Sequence, residues 1–116
     1  METKEILEQA IVLWGIEAQF DMVVEECAEL INAIQKNKRK RVDEADILEE
    51  AVDVFILLEQ VRIWADAKDA LDMKRGEIPP TYLNSWKDMY KRKMSRLEER
   101  IIKAQREQTK LMEVFK

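Results

Sequence analysis

The chain has 116 residues, a net charge of −4, and only two glycines and two prolines, which suits a single domain with few interruptions of helix. It contains no histidine, which excludes Ser-His and Cys-His catalysis, histidine-containing zinc sites and the Glu-x-x-His di-iron bundle. Any bound metal is therefore expected to have oxygen ligands.

The cysteine content and the hydropathy favour a cytoplasmic protein. Cys27 is the single cysteine, so it cannot form an internal disulfide and is typical of a reducing cytosol. Its position on an apolar helical stripe favours a core role over that of a nucleophile. No apolar run approaches the ~20 residues needed to span a bilayer, and the first residues are too polar for a signal peptide. We expect a cytoplasmic protein with no membrane partner.

The first two predicted helices are separated by Gly15. The first covers Thr3–Trp14, with Thr3 as a candidate N-cap and Gly15 as the stop. The second covers about residues 16–36. Its apolar residues recur at helical spacing and form one stripe: Phe20, Val23, Val24, Cys27, Leu30, Ile31 and Ile34.

The third predicted helix follows a basic connector and begins after Asp43, a good N-cap. It reaches about residue 67, with an extension to Lys74 left open. Residues 47–61 are apolar on most of the helix circumference, so we expect this helix to be the most buried.

Gly76 and the two prolines that follow it interrupt the chain, and a fourth helix is predicted beyond them. Asn84 or Ser85 caps this helix, which runs to about Leu111. The pattern predicts an all-α protein, a four-helix bundle. Because the third helix is apolar on too many sides for a small monomer, we expect a homodimer or a dimer of dimers.

Two clusters of carboxylates fall on the second and third helices. Glu25-Glu26-Cys27-Ala28-Glu29 gives E-E-x-x-E, and Glu50-Ala51-Val52-Asp53 gives E-x-x-D. Residues three apart share a helix face, so each cluster can direct two carboxylates at one point. Four convergent carboxylates favour a hard cation such as Mg²⁺, which supports phosphate chemistry. The alternative is a chance pattern on a charged helix.

Asp53 is the most informative of these residues, because every other residue from Ala51 to Leu58 is apolar. We therefore expect Asp53 to be at least partly buried. A buried carboxylate must be paired or bind a metal, since an isolated buried charge is costly.

This arrangement resembles the MazG-like nucleotide pyrophosphohydrolases of the all-α NTP pyrophosphatase superfamily. The resemblance spans about residues 14–61 of the single helical domain 1–116, with residues 25–36 and 48–54 similar to the two motif helices. It implies that Mg²⁺, or Mn²⁺ in its place, is ligated by four residues: Glu26, Glu29, Glu50 and Asp53. It also implies hydrolysis of the α–β phosphate bond of a nucleoside triphosphate to the monophosphate and pyrophosphate, in a house-cleaning role.

Further roles follow from that chemistry. Glu25, beside the ligands, could accept or orient the proton of the attacking water; pairing with a lysine is the alternative. Lys93, Arg96 and Arg100 share one side of the last helix and are similar to basic residues that the family places after its second motif. They are candidate phosphate contacts, and a solvated helix face is the alternative.

Base recognition needs an aromatic or apolar slot. Trp14 is a candidate for stacking on the base and Gln19 for hydrogen bonding to it, while core packing of Trp14 is the alternative. Trp64 and Trp86 are expected in the core or in an interface.

Charge is distributed unevenly along the chain. Residues 1–83 carry 10 Lys and Arg against 19 Asp and Glu, whereas residues 84–116 carry 10 against 5. The basic part is a candidate surface for phosphate or for another subunit. The connector adds a basic cluster, for which we favour a solvated loop over phosphate contact and do not expect nucleic acid: Lys36, Lys38, Arg39, Lys40 and Arg41.

Two classes of function remain at this point. The first is the Mg²⁺-dependent hydrolase acting on nucleoside triphosphates. The second is a non-enzymatic helical interaction protein whose acidic surface binds a basic partner or only solvates the bundle. Metal binding that depends on Glu50 would separate them.

Overall fold

The structure is a computed structural model that describes residues 1–39, 43–77 and 85–115. Within these ranges all regular structure is helical: α1 (Thr3–Trp14), α2 (Ile16–Lys38), α3 (Glu44–Lys74) and α4 (Trp86–Val114). The all-α class is confirmed, and α3 includes the extension to Lys74. Three residues that the sequence analysis singled out, Lys40, Arg41 and Asn84, lie outside the described ranges.

Side-chain caps and one glycine set the helix boundaries. The Asp43 carboxylate accepts a hydrogen bond from the backbone N–H of Asp46 at 3.3 Å, as predicted. Ser85 Oγ accepts one from the backbone N–H of Asp88 at the start of α4, also at 3.3 Å. Gly15 has φ +84°, a conformation that suits glycine, and it joins α1 to α2 as a single residue. The N-cap prediction for Thr3 is wrong by one residue, since Thr3 is already helical and Glu2 occupies the cap position.

Helices α2 and α3 run antiparallel. Gln19 near the start of α2 hydrogen-bonds Gln60 far along α3, while Glu29 further along α2 lies beside Glu50 near the start of α3. Helix α1 packs against both of them. The apolar side chains that this packing buries best are few, with 7–9% of their surface exposed: Leu7, Ala33, Val54 and Leu57.

Helix α3 is only partly covered by the described part of its own chain. It supplies three of the best-buried side chains, Val54, Leu57 and Gln60, more than any other described helix. The opposite part of its apolar circumference faces outward, with Val52 56% and Phe55 63% exposed. The prediction that α3 is the most buried helix is therefore confirmed for its inner face only.

Helix α4 lies largely apart from the other three. Only Trp86 and Met89, in its first turn, are even half-buried, and the described residues from Tyr90 onward are exposed. The radius of gyration is 19.8 Å, against about 13 Å for a compact domain of this size. The described part of one chain thus forms a three-helix assembly from which a basic fourth helix projects.

Candidate metal centre and adjoining cleft

The antiparallel pairing of α2 and α3 brings three of the four predicted metal ligands together. Glu26 and Glu29 are one turn apart on α2, and Glu50 faces them from α3. One carboxylate oxygen from each lies within 4.8 Å of the others. No cation-bearing side chain forms a salt bridge with any of the three in the described residues. The cluster is therefore a concentration of negative charge that the described chain leaves without a counter-ion.

Burial makes this cluster unusual. Glu26 and Glu50 are half-buried, and the Oε2 atom of each is out of contact with solvent and has no hydrogen-bond partner. A buried polar atom without a partner is costly and calls for an explanation. The neighbouring Glu29 carboxyl could hydrogen-bond to these atoms only if one of the groups were protonated, because ionised carboxylates accept hydrogen bonds but do not donate them.

The electrostatics are consistent with this view. Loss of hydration, and after it the negative charge of Glu29, raise the pKa of Glu26 above its ordinary value of 4.5. The same two causes raise the pKa of Glu50. Asp53 adds a smaller repulsion to both. In the absence of a cation these carboxyl groups hold protons more tightly than free glutamate does, and a divalent cation would relieve the repulsion.

The spacing of the cluster is compatible with an oxygen-bound divalent cation. Oxygens bound to one Mg²⁺ at about 2.1 Å are at most about 4.2 Å apart, and longer bonds of about 2.3–2.6 Å allow Ca²⁺ a wider spacing. The chosen oxygens of Glu26, Glu29 and Glu50 all lie within 4.8 Å of one another.

The prediction that Asp53 is partly buried is wrong for the single chain, because Asp53 is exposed. The apolar neighbours that suggested burial are themselves uncovered, with Val52 56% and Ile56 42% exposed. Asp53 is also absent from the tight cluster of three glutamates. It nevertheless lies on the wall of the adjoining cleft together with Glu26, and its charge acts on Glu26 and Glu50.

A cleft of about 680 Å³ opens beside the cluster between α2 and α3. Its acidic lining residues are Asp21, Glu26 and Asp53, while Ile56 and Leu57 contribute apolar walls. The two residues predicted to contact a base, Trp14 and Gln19, line the same cleft. An acidic region and an apolar region therefore share one opening.

Trp14 lies at the edge of this cleft with 63% of its surface exposed, so the alternative that placed it in the core is wrong. It is the last residue of α1, and the chain turns at Gly15 immediately after it. The α1 stripe that suggested core packing ends here, and no helix within residues 1–39, 43–77 and 85–115 covers the ring. An exposed indole beside an apolar wall is a suitable surface for stacking.

Gln19 is buried, with 4% of its surface exposed, and its Nε2 donates a hydrogen bond to Oε1 of Gln60. Gln60 is 5% exposed and also lines the cleft. Sequence reasoning missed Gln60, although a signal was present: it stands seven residues after Asp53, two turns along the same face of α3. A polar residue on that face of an apolar helix indicates a polar partner on the facing helix. The structure shows that this partner is Gln19.

The remaining predicted site residues are exposed and lie elsewhere. Glu25 is exposed on α2 and is not part of the three-glutamate cluster. Lys93, Arg96 and Arg100 are exposed on α4, and none of them lines the acidic cleft of the described chain. The structure therefore does not bring the predicted phosphate contacts to the carboxylates within one chain.

Other sequence predictions have mixed outcomes. Cys27 and Trp64 are half-buried, and the Trp64 ring packs edge-on against Phe20 with centroids 5.7 Å apart. The described part of the basic connector cluster, Lys36 to Arg39, includes exposed cations at the end of α2, as expected for a solvated segment.

Comparison with known proteins gives no further guide: no family model, curated protein or solved structure matches this chain. In the described residues, no helix is both long and apolar enough to cross a membrane.

Proposed function

We propose that this chain is a Mg²⁺-dependent nucleoside triphosphate pyrophosphohydrolase, which cleaves the α–β phosphate bond to give a nucleoside monophosphate and pyrophosphate. The observation that carries the proposal is the cluster of Glu26, Glu29 and Glu50, with two buried oxygens that lack partners, beside a cleft that Glu26 shares with an exposed indole. The resemblance of the two motifs to MazG-like enzymes supports the same chemistry.

The cation would be held by Glu26, Glu29 and Glu50, with Asp53 as a further ligand from the cleft wall. When bound, Mg²⁺, or Mn²⁺ in its place, would neutralise triphosphate charge and favour ionisation of the attacking water. The crowded carboxylates suit this task, because a bound cation would reduce the electrostatic repulsion between them.

The rest of the cleft would select and orient the nucleotide. The exposed face of Trp14 would stack on the base, and Ile56 and Leu57 would exclude water from its other side. Gln19, held in place by Gln60, would direct its amide at polar atoms of the base. Glu25 stands next to Glu26 and is the proposed acceptor of the proton from the attacking water.

The proposed phosphate contacts Lys93, Arg96 and Arg100 require a second subunit, since they lie away from the cleft of their own chain. A homo-oligomer also explains the exposed apolar side chains Val52 and Phe55 on α3. We therefore propose a homodimer or dimer of dimers that acts in the cytoplasm on the nucleotide pool.

The test is a screen of canonical and modified nucleoside triphosphates with detection of pyrophosphate. We expect turnover with Mg²⁺ or Mn²⁺, none in EDTA, and none with Glu50→Gln. Glu49→Gln is the matched control, because Glu49 is an exposed neighbour outside the cluster and the charge change is identical. Release of orthophosphate and diphosphate would show that the wrong bond was assigned.

The competing function, a non-enzymatic interaction protein with an acidic surface, is favoured by the same exposed apolar faces. Calorimetric titration with Mg²⁺, Mn²⁺ and Ca²⁺ distinguishes the two. Absence of cation binding together with absence of turnover would leave the interaction protein as the better account.

A further inference from the structure

Helix α4 has an apolar seam that nothing in the described chain covers. Its members follow the spacings of four and three residues that are typical of coiled coils, with the polar Gln108 at the one position skipped between Ala104 and Leu111: Tyr90, Met94, Leu97, Ile101, Ala104 and Leu111. Tyr90 is 62%, Ile101 48% and Leu111 58% exposed. A shallow groove along the helix, lined by α4 residues alone, follows the same face.

The length of α4 makes this exposure significant. Its 29 residues form a rod of about 43 Å, and only residues of its first turn are even half-buried. Most helix stability in proteins comes from packing of an apolar face. A heptad pattern sustained over three heptads, from Tyr90 to Leu111, is the sequence signature of helices that pack on one another.

We propose that α4 pairs with α4 of a second copy of this chain as a parallel, two-stranded coiled coil. Ile101 occupies an a position, and Leu97 and Leu111 occupy d positions. Isoleucine at a with leucine at d favours two strands. The proposal does not depend on the metal site or on catalysis.

Charge complementarity supports the second copy as the partner. In a parallel pair, the g residue of one helix faces the e residue five positions later on the other. Lys93 is at g and Glu98 at e, so Lys93 of each helix lies opposite Glu98 of the other. The dimer therefore has two such pairs of a cation and a carboxylate. No other g–e′ pair opposes like charges, because Arg100 faces Gln105 and Glu107 faces Met112.

The polar residue in the seam selects the parallel orientation. Gln108 occupies an a position. In a parallel pair it lies opposite Gln108 of the second copy, and the two amides can hydrogen-bond. With the helices antiparallel and fully overlapped, it lies opposite Tyr90 or Leu97 and loses that partner, which is costly in a buried seam.

The test is sedimentation equilibrium of the full chain over a concentration series, in EDTA and without nucleotide. Lys93→Glu and Glu98→Lys should each weaken the dimer roughly tenfold, because two attractive pairs become repulsive. An equimolar mixture of the two variants should recover wild-type affinity, because each then meets an opposite charge. Recovery on mixing also shows that both variants are folded.

Two controls make the same charge change elsewhere on α4. Glu99→Lys lies on the outer face of the helix, where it would place a third cation within one turn of Arg96 and Lys103. The dimer should nevertheless be unaffected. Glu107→Lys should also leave it intact, since Glu107 would face a cation only in the antiparallel registers, either Lys93 or Arg100.

Three outcomes would overturn the proposal. A wild-type chain that is monomeric at micromolar concentration excludes the pairing. A dimer insensitive to Lys93→Glu and Glu98→Lys places the interface elsewhere, for example on the exposed face of α3, or shows that α4 serves a different protein. A dimer weakened by Glu107→Lys shows that the helices are antiparallel.

Discussion

The hydrogen bond between Gln19 and Gln60 allows a quantitative test of how the cleft is built. Both side chains are at least 95% buried, with 4% and 5% of their surface exposed. Gln60→Leu keeps a similar volume but removes the acceptor of the Gln19 amide. Leaving one buried polar group without its partner costs about 1–3 kcal/mol. An unfolding entropy of about 2.1 cal/mol/K per residue over the chain converts this to a fall in Tm of roughly 4–12 °C.

The double variant Gln19→Leu/Gln60→Leu decides the cause. Replacing both partners with apolar groups of similar size leaves no buried amide unpaired, so its stability should return close to that of the wild type. Thermal and urea melts at neutral pH in EDTA measure all four corners of the cycle. If the two single losses simply add in the double variant, the pair is not coupled and Gln60 does not hold Gln19 in the cleft.

Four further outcomes are expected. Glu50→Gln should abolish Mg²⁺ binding in calorimetry yet raise the Tm in EDTA at pH 7, because it removes one of the mutually repelling carboxylates; a lower Tm would contradict the electrostatic account. The raised pKa values of Glu26 and Glu50 mean that the folded, metal-free protein binds these protons more tightly than the unfolded chain. Their contribution to stability is fully present below pH 4.5 and is lost as pH rises through the folded-state values. The Tm in EDTA should thus rise from pH 7 towards pH 5, less steeply in Glu50→Gln, and equal slopes would refute this. Asp53→Asn should abolish turnover and weaken Mg²⁺ binding without lowering the metal-free Tm, whereas a large loss of stability would indicate that Asp53 is a structural partner. Trp14→Ala should raise KM for the nucleotide and leave Mg²⁺ affinity unchanged, and an unchanged KM would exclude stacking.

The helices and their caps were largely predictable because they depend on local chemistry. Gly15 and Asp43 act through the conformation or hydrogen bonding of a few neighbouring residues, and both behave as the sequence predicts. The carboxylate cluster could also be predicted from the sequence. Helical spacing places Glu26 and Glu29 on one face of α2, and antiparallel pairing of α2 with α3 brings Glu50 to that face.

Burial was less predictable because periodicity shows which face of a helix is apolar but not what covers that face. Asp53 and Trp14 both illustrate this error in the same direction. Asp53 was expected to be buried among apolar neighbours, and Trp14 had core packing as its alternative, yet both are exposed at the cleft. Gln60 shows the converse. It is polar yet buried, because it accepts a hydrogen bond from the buried Gln19 side chain.

The two proposals make competing use of one residue, Lys93. As a phosphate contact it must reach a cleft, whereas in the α4 pairing it faces Glu98 of the second copy. Arg96 is at an outer position of the heptad and is free of that constraint, so it can serve phosphate binding whether or not the helices pair. Lys93→Ala should therefore weaken the dimer more than Arg96→Ala, and Arg96→Ala should raise KM for the triphosphate more than Lys93→Ala. Sedimentation and steady-state kinetics measure the two effects separately. A reversed order in both would mean that α4 joins its partner through its basic side, and that the heptad seam has another role.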